Sequence, residues 1–495
     1  PALLRNKDWL MCRRFAVTLG EPWDVTHLAL HYLRSADALD SEERKVARAT
    51  EWRARLAKES WFKAKYLCSR GLAGVLCPKD ETPEGSMTPG RGGGNGRVLV
   101  AGAGPVGSIA ALALARRGIP VTVFEAEPEV QRDPRAATTH PATLEMLDEI
   151  GLAEKVEEQG LVAVEFHFRD RPTGELIAVF DHTLLADDTR FPYVVQCEQY
   201  KTAALALEAL EALPEGEVRF SHRLTGIRQT GDEVVVTLET PGGEERLSGS
   251  YLIGADGGRS TVRKELAIPF EGFTYPERFL VLTTPFDFAA HRGYVFRTYF
   301  ADPDEWCNLF KVSADGPPGL WRTVFPTDPE DTDEEVLADE RVQARLQKFF
   351  PKGDEYDVIH RNLYKIHQRV AARYRQGRVF LAGDAAHVNN PIGGLGMNCG
   401  IHDAINLADK LARVWFGEAE DGELDRYEVQ RRAIAIDYLQ AQTIRNKKRL
   451  EEKDPDIRRR NLEELRETAA DPERARQFLL ATSMIASVRR AATLG

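Results

Sequence analysis

At 495 residues the chain is too long for one ordinary domain and long enough to bury a large core, so two or three domains are expected. Its 66 Lys and Arg against 77 Asp and Glu leave a net charge of −11, which points to a soluble protein and away from non-specific nucleic-acid binding. Six cysteines with no C-x-x-C pair and no histidine at zinc spacing indicate neither a disulfide framework nor a metal site, so a reducing cytoplasm is the expected compartment. No run reaches the ~18 apolar residues of a membrane span, the front lacks a charged-then-apolar signal pattern, and Pro1 in place of Met suggests a fragment or a processed start.

Residues 1–86 hold four of the seven tryptophans (Trp9, Trp23, Trp52, Trp61) and a highly charged segment, Ser41 to Lys58, and read as a helical extension without legible chemistry. Glu81 to Gly96, rich in Gly, Pro, Ser and Thr, reads as a flexible linker; the boundary is set at Met87, with residues 87–96 as the linker proper. The organising stretch follows, VLVAGAGPVGSIAALALARRGIPVTVFE, Val98 to Glu125. A short apolar strand gives way to Gly102, Gly104 and Gly107 and then to an apolar helix; a second strand, Val121 to Phe124, ends on Glu125. The separation 125 − 107 = 18 is close to the ~20 of a dinucleotide fingerprint. In that fingerprint Gly102 permits the tight turn, Gly104 lets backbone approach a pyrophosphate, Gly107 lets helix pack on strand, and Glu125 accepts from an adenosine ribose. FAD and NAD(P) both fit it.

Gln131 to Thr139 is polar and holds Arg135, and Pro141 to Ile150 reads as a short helix. Leu161 to Phe180 alternates apolar and polar around Pro172-Thr173-Gly174, which predicts a hairpin outside the parallel pattern. A helix is predicted from Gln199 to Leu213, then strands at Val218 to Ile227, Glu233 to Glu239 and Tyr251 to Ile253. The turn GADGGRSTVR, Gly254 to Arg263, sets Asp256 at a strand end beside two glycines and two arginines able to pair with phosphate. Further strands at Leu280 to Thr283, Gly293 to Phe300, Asn308 to Val312 and Leu320 to Val324 predict, with the hairpin, an antiparallel sheet forming a separate lobe. Its aromatic residues read mostly as core, with some available to a pocket for a flat ligand.

The third motif is GRVFLAGDAAHVNNPIGGLGMNCGIHDAINLADKLA, Gly377 to Ala412. A buried strand ends at Gly383; Asp384 offers a carboxylate to a polyol hydroxyl, and Pro391 stiffens a loop whose Gly393, Gly394 and Gly396 leave its amides uncovered. A helix begins near Met397, so free N–H groups and a helix dipole aim at a place where negative charge develops. From Leu424 onward the chain is charged and helical.

These three motifs, in this order, resemble the class A, aromatic-hydroxylase type, FAD-dependent monooxygenases over about Arg97 to the C-terminus. The segment YKIHQRVAARYRQGRVFLAGDAAH and the tail with RNKKRL and SMIASVRRA are most similar to the 3-(3-hydroxyphenyl)propionate hydroxylase branch. The resemblance implies an α/β fold: a Rossmann-like FAD-binding domain (97–160 with 190–268 and 355–415), an inserted antiparallel-sheet substrate domain (161–189 with 269–354) and a C-terminal helical region (416–495). It implies that Gly102, Gly104, Gly107 and Glu125 hold the ADP half of FAD, with Arg135 and Gln199 near the pyrophosphate and a backbone contact to adenine near Leu224. Asp256 is linked to both FAD and NAD(P)H, Asp384 to the ribityl chain, and Pro391, Gly394, Gly396, Met397 and Asn398 to the isoalloxazine ring. His387 reads as structural and His367 as a substrate-side candidate. The implied reaction takes NADH or NADPH, O₂ and a small phenol-like aromatic substrate and returns a hydroxylated product; a homodimer is a further expectation. Three rivals stand beside it. An FAD halogenase would show a W-x-W-x-I-P signature, and no two tryptophans lie two apart. The others are an FAD-dependent dehydrogenase or reductase that does not use O₂, and a non-catalytic flavin-binding interaction protein.

Overall fold

The computed structural model describes residues 96–133 and 135–495, all within one of the two units into which the chain divides, Thr88–Gly495. The helical extension and nearly all of the linker lie outside the described residues.

Two sheets carry the molecule. The first has six strands in the order Arg375–Gln376, Val379–Leu381, Tyr251–Gly254, Val98–Ala101, Val121–Phe124, Gly216–Arg219, parallel throughout except for the outermost pair at Arg375. Its central strands are buried at every position, which is why they read as unbroken apolar runs: both faces are covered. The helix Pro105–Ala115 is buried along nearly its whole length, so it carries no polar stripe. The chain is thus α/β, as expected.

The second sheet has eight strands in the order His387–Val388, His360–Ala371, Phe270–Thr284, Leu320–Pro326, Cys307–Val312, Arg297–Ala301, Glu165–Asp170, Leu176–Asp181. All neighbours are antiparallel except Arg297–Ala301 with Glu165–Asp170. Alternation along Phe270–Thr284 sends Phe279 and Val281 into a core shared with the C-terminal helices, and Leu280 and Leu282 into a second core against helix Asp339–Phe349. Most of the lobe's aromatics, among them Tyr294, Phe300, Trp306 and Trp321, are consumed in these cores.

Four local expectations change. Leu161–Ala163 leaves the predicted hairpin and pairs with Val194–Gln196, and the break falls at Val164, whose carbonyl accepts from the His182 backbone N–H. Val218 to Ile227 is not one strand: Gly216–Arg219 and Arg223–Gln229 belong to different sheets, parted at Ser221, where φ is +57°. The strand predicted from Gly293 starts at Arg297, because helix Phe288–Arg292 ends at Gly293 in the left-handed conformation. His360–Ala371, which the sequence pattern grouped with the dinucleotide fold, is hydrogen-bonded along Phe270–Thr284 in the eight-stranded sheet. After Leu424 the chain is helical, with helices Asp425–Ile434, Ala441–Glu451, Pro455–Ala470, Pro472–Thr482 and Ile485–Ala492.

Candidate functional site

The three motifs meet at the carboxyl edge of the parallel sheet. Gly102 has φ +101°, and a Cβ there would stand 2.5 Å from the Ala255 carbonyl oxygen; only glycine makes this turn. A Cβ at Gly107 would lie 2.0 Å from the Gly102 carbonyl oxygen, so helix and turn touch through it. At Gly104, by contrast, nothing lies within 4 Å, and as N-cap it places no side chain over the helix start. A partly positive helix end therefore faces open space.

Glu125 ties this turn to its neighbours. One carboxylate oxygen accepts from Ala103 N at 2.8 Å and the other from Glu127 N at 3.1 Å. Its carbonyl accepts from His222 N at 2.7 Å, which brings Leu224, two residues on, to the same end of the sheet. Gln199 opens the helix Gln199–Glu211, and its amide donates to the Ala136 carbonyl at 2.9 Å, so Gln199 and the exposed Arg135 flank one stretch of chain.

In the second motif Asp256 caps helix Thr261–Glu265, one oxygen accepting from Thr261 N at 2.7 Å and Val262 N at 3.0 Å. Its other oxygen is buried without a partner, and burial raises its carboxyl above the usual range against the pull of Ser260 and these amides. Arg263 is not available to a phosphate. It is 5% exposed, lies over the Phe270 ring and donates to the carbonyls of Ala385 and Gly258, both at 2.8 Å.

The third motif locks onto the first. Cβ atoms at Gly383 and Gly400 would stand 2.8 Å and 2.6 Å from Val106 Cγ2, so one valine of the glycine turn is wedged between strand end and long helix. Asp384 is open to solvent, yet burial raises its carboxyl above the usual range, partly offset by the charges of His387 and Arg135. Beneath it runs a buried network: Asp403 accepts from Arg431 Nε at 2.6 Å, His387 Nε2 at 2.7 Å and Gly383 N at 3.0 Å. Burial opposes charge on both members of the His387–Asp403 pair, but Cys399 and Asp403 hold His387 raised, and Arg431 and His387 hold Asp403 lowered. His387, Cys399 and Asp403 also have the spacing of metal ligands, but Arg431 donates to both Asp403 and Cys399 and occupies that role.

Pro391 and the glycines after it form the loop before helix Gly396–Trp415, whose first turn has no side-chain cap. Gly394 has φ +69° and is held by Asn398, whose amide donates to its carbonyl and to that of Thr138, both at 2.7 Å. Asn398 Oδ1 in turn accepts from His140 N at 2.9 Å, so its side chain builds the loop and leaves the amides of Gly396 and Met397 to face outward at the helix start.

Against this loop lies a cavity. Ile392, Gly393 and Leu395 form one wall, Phe166, Phe168, Arg297 and Tyr299 of the large sheet another, and Asn446, Arg449, Leu450 and Phe478 of the C-terminal helices the third. His367 is elsewhere. Alternation turns it to the exposed face of its strand with Lys365 and Arg369, where Nδ1 meets Thr274 Oγ1 at 2.8 Å; burial and these cations lower its pKa. It does not line this cavity.

Sequence reasoning missed Asp403, Arg431, Arg297 and Arg449. Asp403 had a signal: a carboxylate one helical turn after Cys399, flanked in sequence by the apolar Ile401, Ala404 and Ile405. The three arginines had none, because strands and helices far apart in the chain bring them in.

The open cradle at Gly104, the unpartnered oxygen of Asp256 and the exposed carboxylate of Asp384 are a donor and acceptor set that fits FAD. Comparison with known proteins agrees. Residues 95–442 match the FAD binding domain family. The chain is 38% identical over 388 residues to para-nitrophenol 4-monooxygenase of Pseudomonas sp. (strain WBC-3), covering 77% of this chain and 94% of that one. To the 3-(3-hydroxyphenyl)propionate/3-hydroxycinnamic acid hydroxylase of Shigella sonnei (strain Ss046) it is 34% identical over 339 residues, 68% of this chain and 59% of that one. The crystal structure of p-nitrophenol 4-monooxygenase from Pseudomonas putida DLL-E4 superposes with a TM-score of 0.74 at 35% identity, covering 78% of this chain and 96% of that one. The chain therefore belongs to the class A flavoprotein monooxygenases, built on the FAD binding domain.

Proposed function

We propose that the protein hydroxylates a phenol-like aromatic small molecule with one oxygen atom of O₂, using electrons from NADH or NADPH and FAD as its resident cofactor. The observation that carries this reading is the aromatic cavity lined by Ile392, Gly393 and Leu395 of the Pro391–Asn398 loop, next to a helix start that has no side-chain cap. When bound, FAD supplies the electron transfer and O₂ activation that no side chain possesses.

The chain's own residues do the rest. The Gly102–Gly107 turn receives the pyrophosphate on a helix N-terminus, with Arg135 and Gln199 beside it. Glu125 keeps lone pairs for ribose hydroxyls while holding Ala103, and backbone near Leu224 lies toward adenine. The free oxygen of Asp256 accepts from the cofactor side, and Asp384 accepts from a ribityl hydroxyl. The amides at Gly396 and Met397, together with the helix dipole, stabilise negative charge at the ring edge, and Asn398 fixes their direction. Phe166, Phe168 and Phe478 exclude water and hold a flat ring against the loop. The phenolic activities of the two named relatives support the substrate class. No helix of the described residues is long and apolar enough to cross a membrane. A cytoplasmic location, read from the unpaired Cys197, Cys307 and Cys399, and a homodimer complete the proposal.

Purified protein should be yellow, release intact FAD on denaturation, and oxidise NADH or NADPH faster when 4-nitrophenol or another simple phenol is added. Product formed under ¹⁸O₂ should carry the label. A colourless protein that FAD does not reconstitute, or a product labelled only from H₂¹⁸O, would refute the reading.

A further inference from the structure

Arg297 is the most unusual side chain in the cavity. It is 5% exposed, yet among the described residues no carboxylate stands within ion-pair distance. Its Nη2 donates to the Tyr299 hydroxyl at 3.1 Å, its guanidinium lies 5.0 Å from the centre of the Phe166 ring, and Nη1 is buried with no partner. The neighbours that feel its charge are histidines, not acids: His140 bonds the Gly393 carbonyl at 2.9 Å and His182 the Val164 carbonyl at 3.0 Å. Burial and Arg297 push both toward the neutral form, so the positive charge at this end of the cavity belongs to the arginine.

An arginine does not shed its proton, and a buried guanidinium without a counter-charge is costly unless something else supplies one. Other buried arginines of this chain have their anion or their carbonyls: Arg431 has Asp403, and Arg263 has Ala385 and Gly258. Arg297 has an aromatic-lined hollow. A second guanidinium, Arg449, lines the same hollow 5.9 Å from the Phe478 ring centre.

We propose that Arg297 is the specificity-determining residue of this cavity: it selects aromatic anions, receiving a phenolate or ring-borne carboxylate oxygen at Nη1 while the ring packs among Phe166, Tyr299 and Phe478. This rests on the reading of the cavity as the substrate site. The position of Nη1 then fixes which end of the ring lies deep and which faces the Gly393 loop.

The test is calorimetric binding to the FAD-loaded protein at mildly alkaline pH, with two matched pairs. The pair 4-hydroxybenzoate and 4-hydroxybenzamide isolates a carboxylate, and the pair 4-nitrophenol, ionised there, and 4-ethylphenol, un-ionised there, isolates a phenolate. At least one anion should bind about tenfold to a hundredfold more tightly than its neutral partner, the worth of a charge-assisted hydrogen bond. Arg297→Gln should abolish that preference and leave the neutral ligand's affinity within about twofold, while Arg297→Lys should restore part of it. Because Arg297→Gln risks the fold, Arg449→Gln serves as the second variant and should keep the parent's preference for the anion; loss of the preference there would move the anion site to Arg449 and overturn the assignment. Neutral ligands binding as tightly as the anions, or Arg297→Gln weakening both members of a pair equally, would overturn the proposal and leave the substrate-site reading standing. No binding by any of the four would overturn both.

Discussion

Asp403→Asn should unfold the protein more readily and loosen FAD through a residue that touches no ligand. The carboxylate is fully buried and takes three hydrogen bonds, from Arg431 and Gly383 on opposite oxygens and from His387. Asparagine keeps one acceptor oxygen and replaces the other by an NH₂ that cannot accept. If the NH₂ faces Arg431, donor meets donor at a buried cation. If it faces Gly383, that amide loses its acceptor, while His387 can deprotonate and accept instead. Removing one partner of a buried charge pair costs about 3–5 kcal/mol, and the escape open to His387 places the expected loss near the lower end, about 3 kcal/mol. The gap between parent and variant has a pH window. Asp403 is lowered in the fold, so its contribution is complete above its ordinary 3.8 and is lost as pH falls through the lowered value; His387 is raised, so its share is complete below 6.5 and is lost as pH climbs through the raised value. Urea unfolding of parent and variant between these limits measures the difference, and FAD titration should show weaker binding because Gly383 sets the turn that presents Asp384. A loss below about 0.5 kcal/mol with unchanged FAD affinity would refute the reasoning.

Asp384→Ala should behave in the opposite way, weakening FAD by about 1.5–3 kcal/mol while leaving the urea midpoint of the flavin-free protein unchanged, since its side chain is exposed. Unaltered FAD affinity by titration would show that Asp384 does not meet the cofactor. His140, His182 and His402 are buried and lowered, the last two to about 3, so the unfolded chain takes protons there that the fold refuses. Stability should therefore fall as pH drops below 6.5, by about 1.4 kcal/mol per pH unit for each histidine, and a urea midpoint that does not change from about pH 7 to about pH 5 would refute it. Residues 1–86 should be dispensable: a chain beginning at Met87 retains the whole stretch that matches the FAD binding domain and should bind FAD and turn over near the full-length rate. Loss of activity with flavin retained would make the extension part of the enzyme.

What the sequence disclosed and what it withheld divide along a physical line. The glycines of the first and third motifs were legible because a positive φ or a contact under 3 Å leaves one choice of residue, as at Gly102 and Gly383. The buried parallel strands were legible because both faces are covered and the run is unbroken. The substrate side was not. Arg297, Arg449 and Phe166 come from a sheet strand, a C-terminal helix and the first hairpin, and nothing in their local patterns marks a common cavity. The exposure of His367 was hidden for a related reason: the register of His360–Ala371 against Phe270–Thr284, which turns it outward, is set by long-range pairing. Arg263 looked like a phosphate ligand because two nearby glycines suggest an open turn, and only the packed structure shows it under Phe270.

The wedge of Val106 between Gly383 and Gly400 bears on how the protein comes to exist. Strand Val98–Ala101 leaves the ribosome long before Val379–Leu381, and the sheet edge proposed to hold FAD is complete only once the later strand and the start of the long helix are in place. Until then the first glycine turn lacks the wall against which Val106 packs, and the apolar strand Tyr251–Gly254 has one edge open. Parallel pairing over so many intervening residues is slow, and the unfinished edge is prone to aggregate. Cofactor should therefore bind late, and nascent chains released before Trp415 should bind no FAD and accumulate in the insoluble fraction, however intact their first glycine motif.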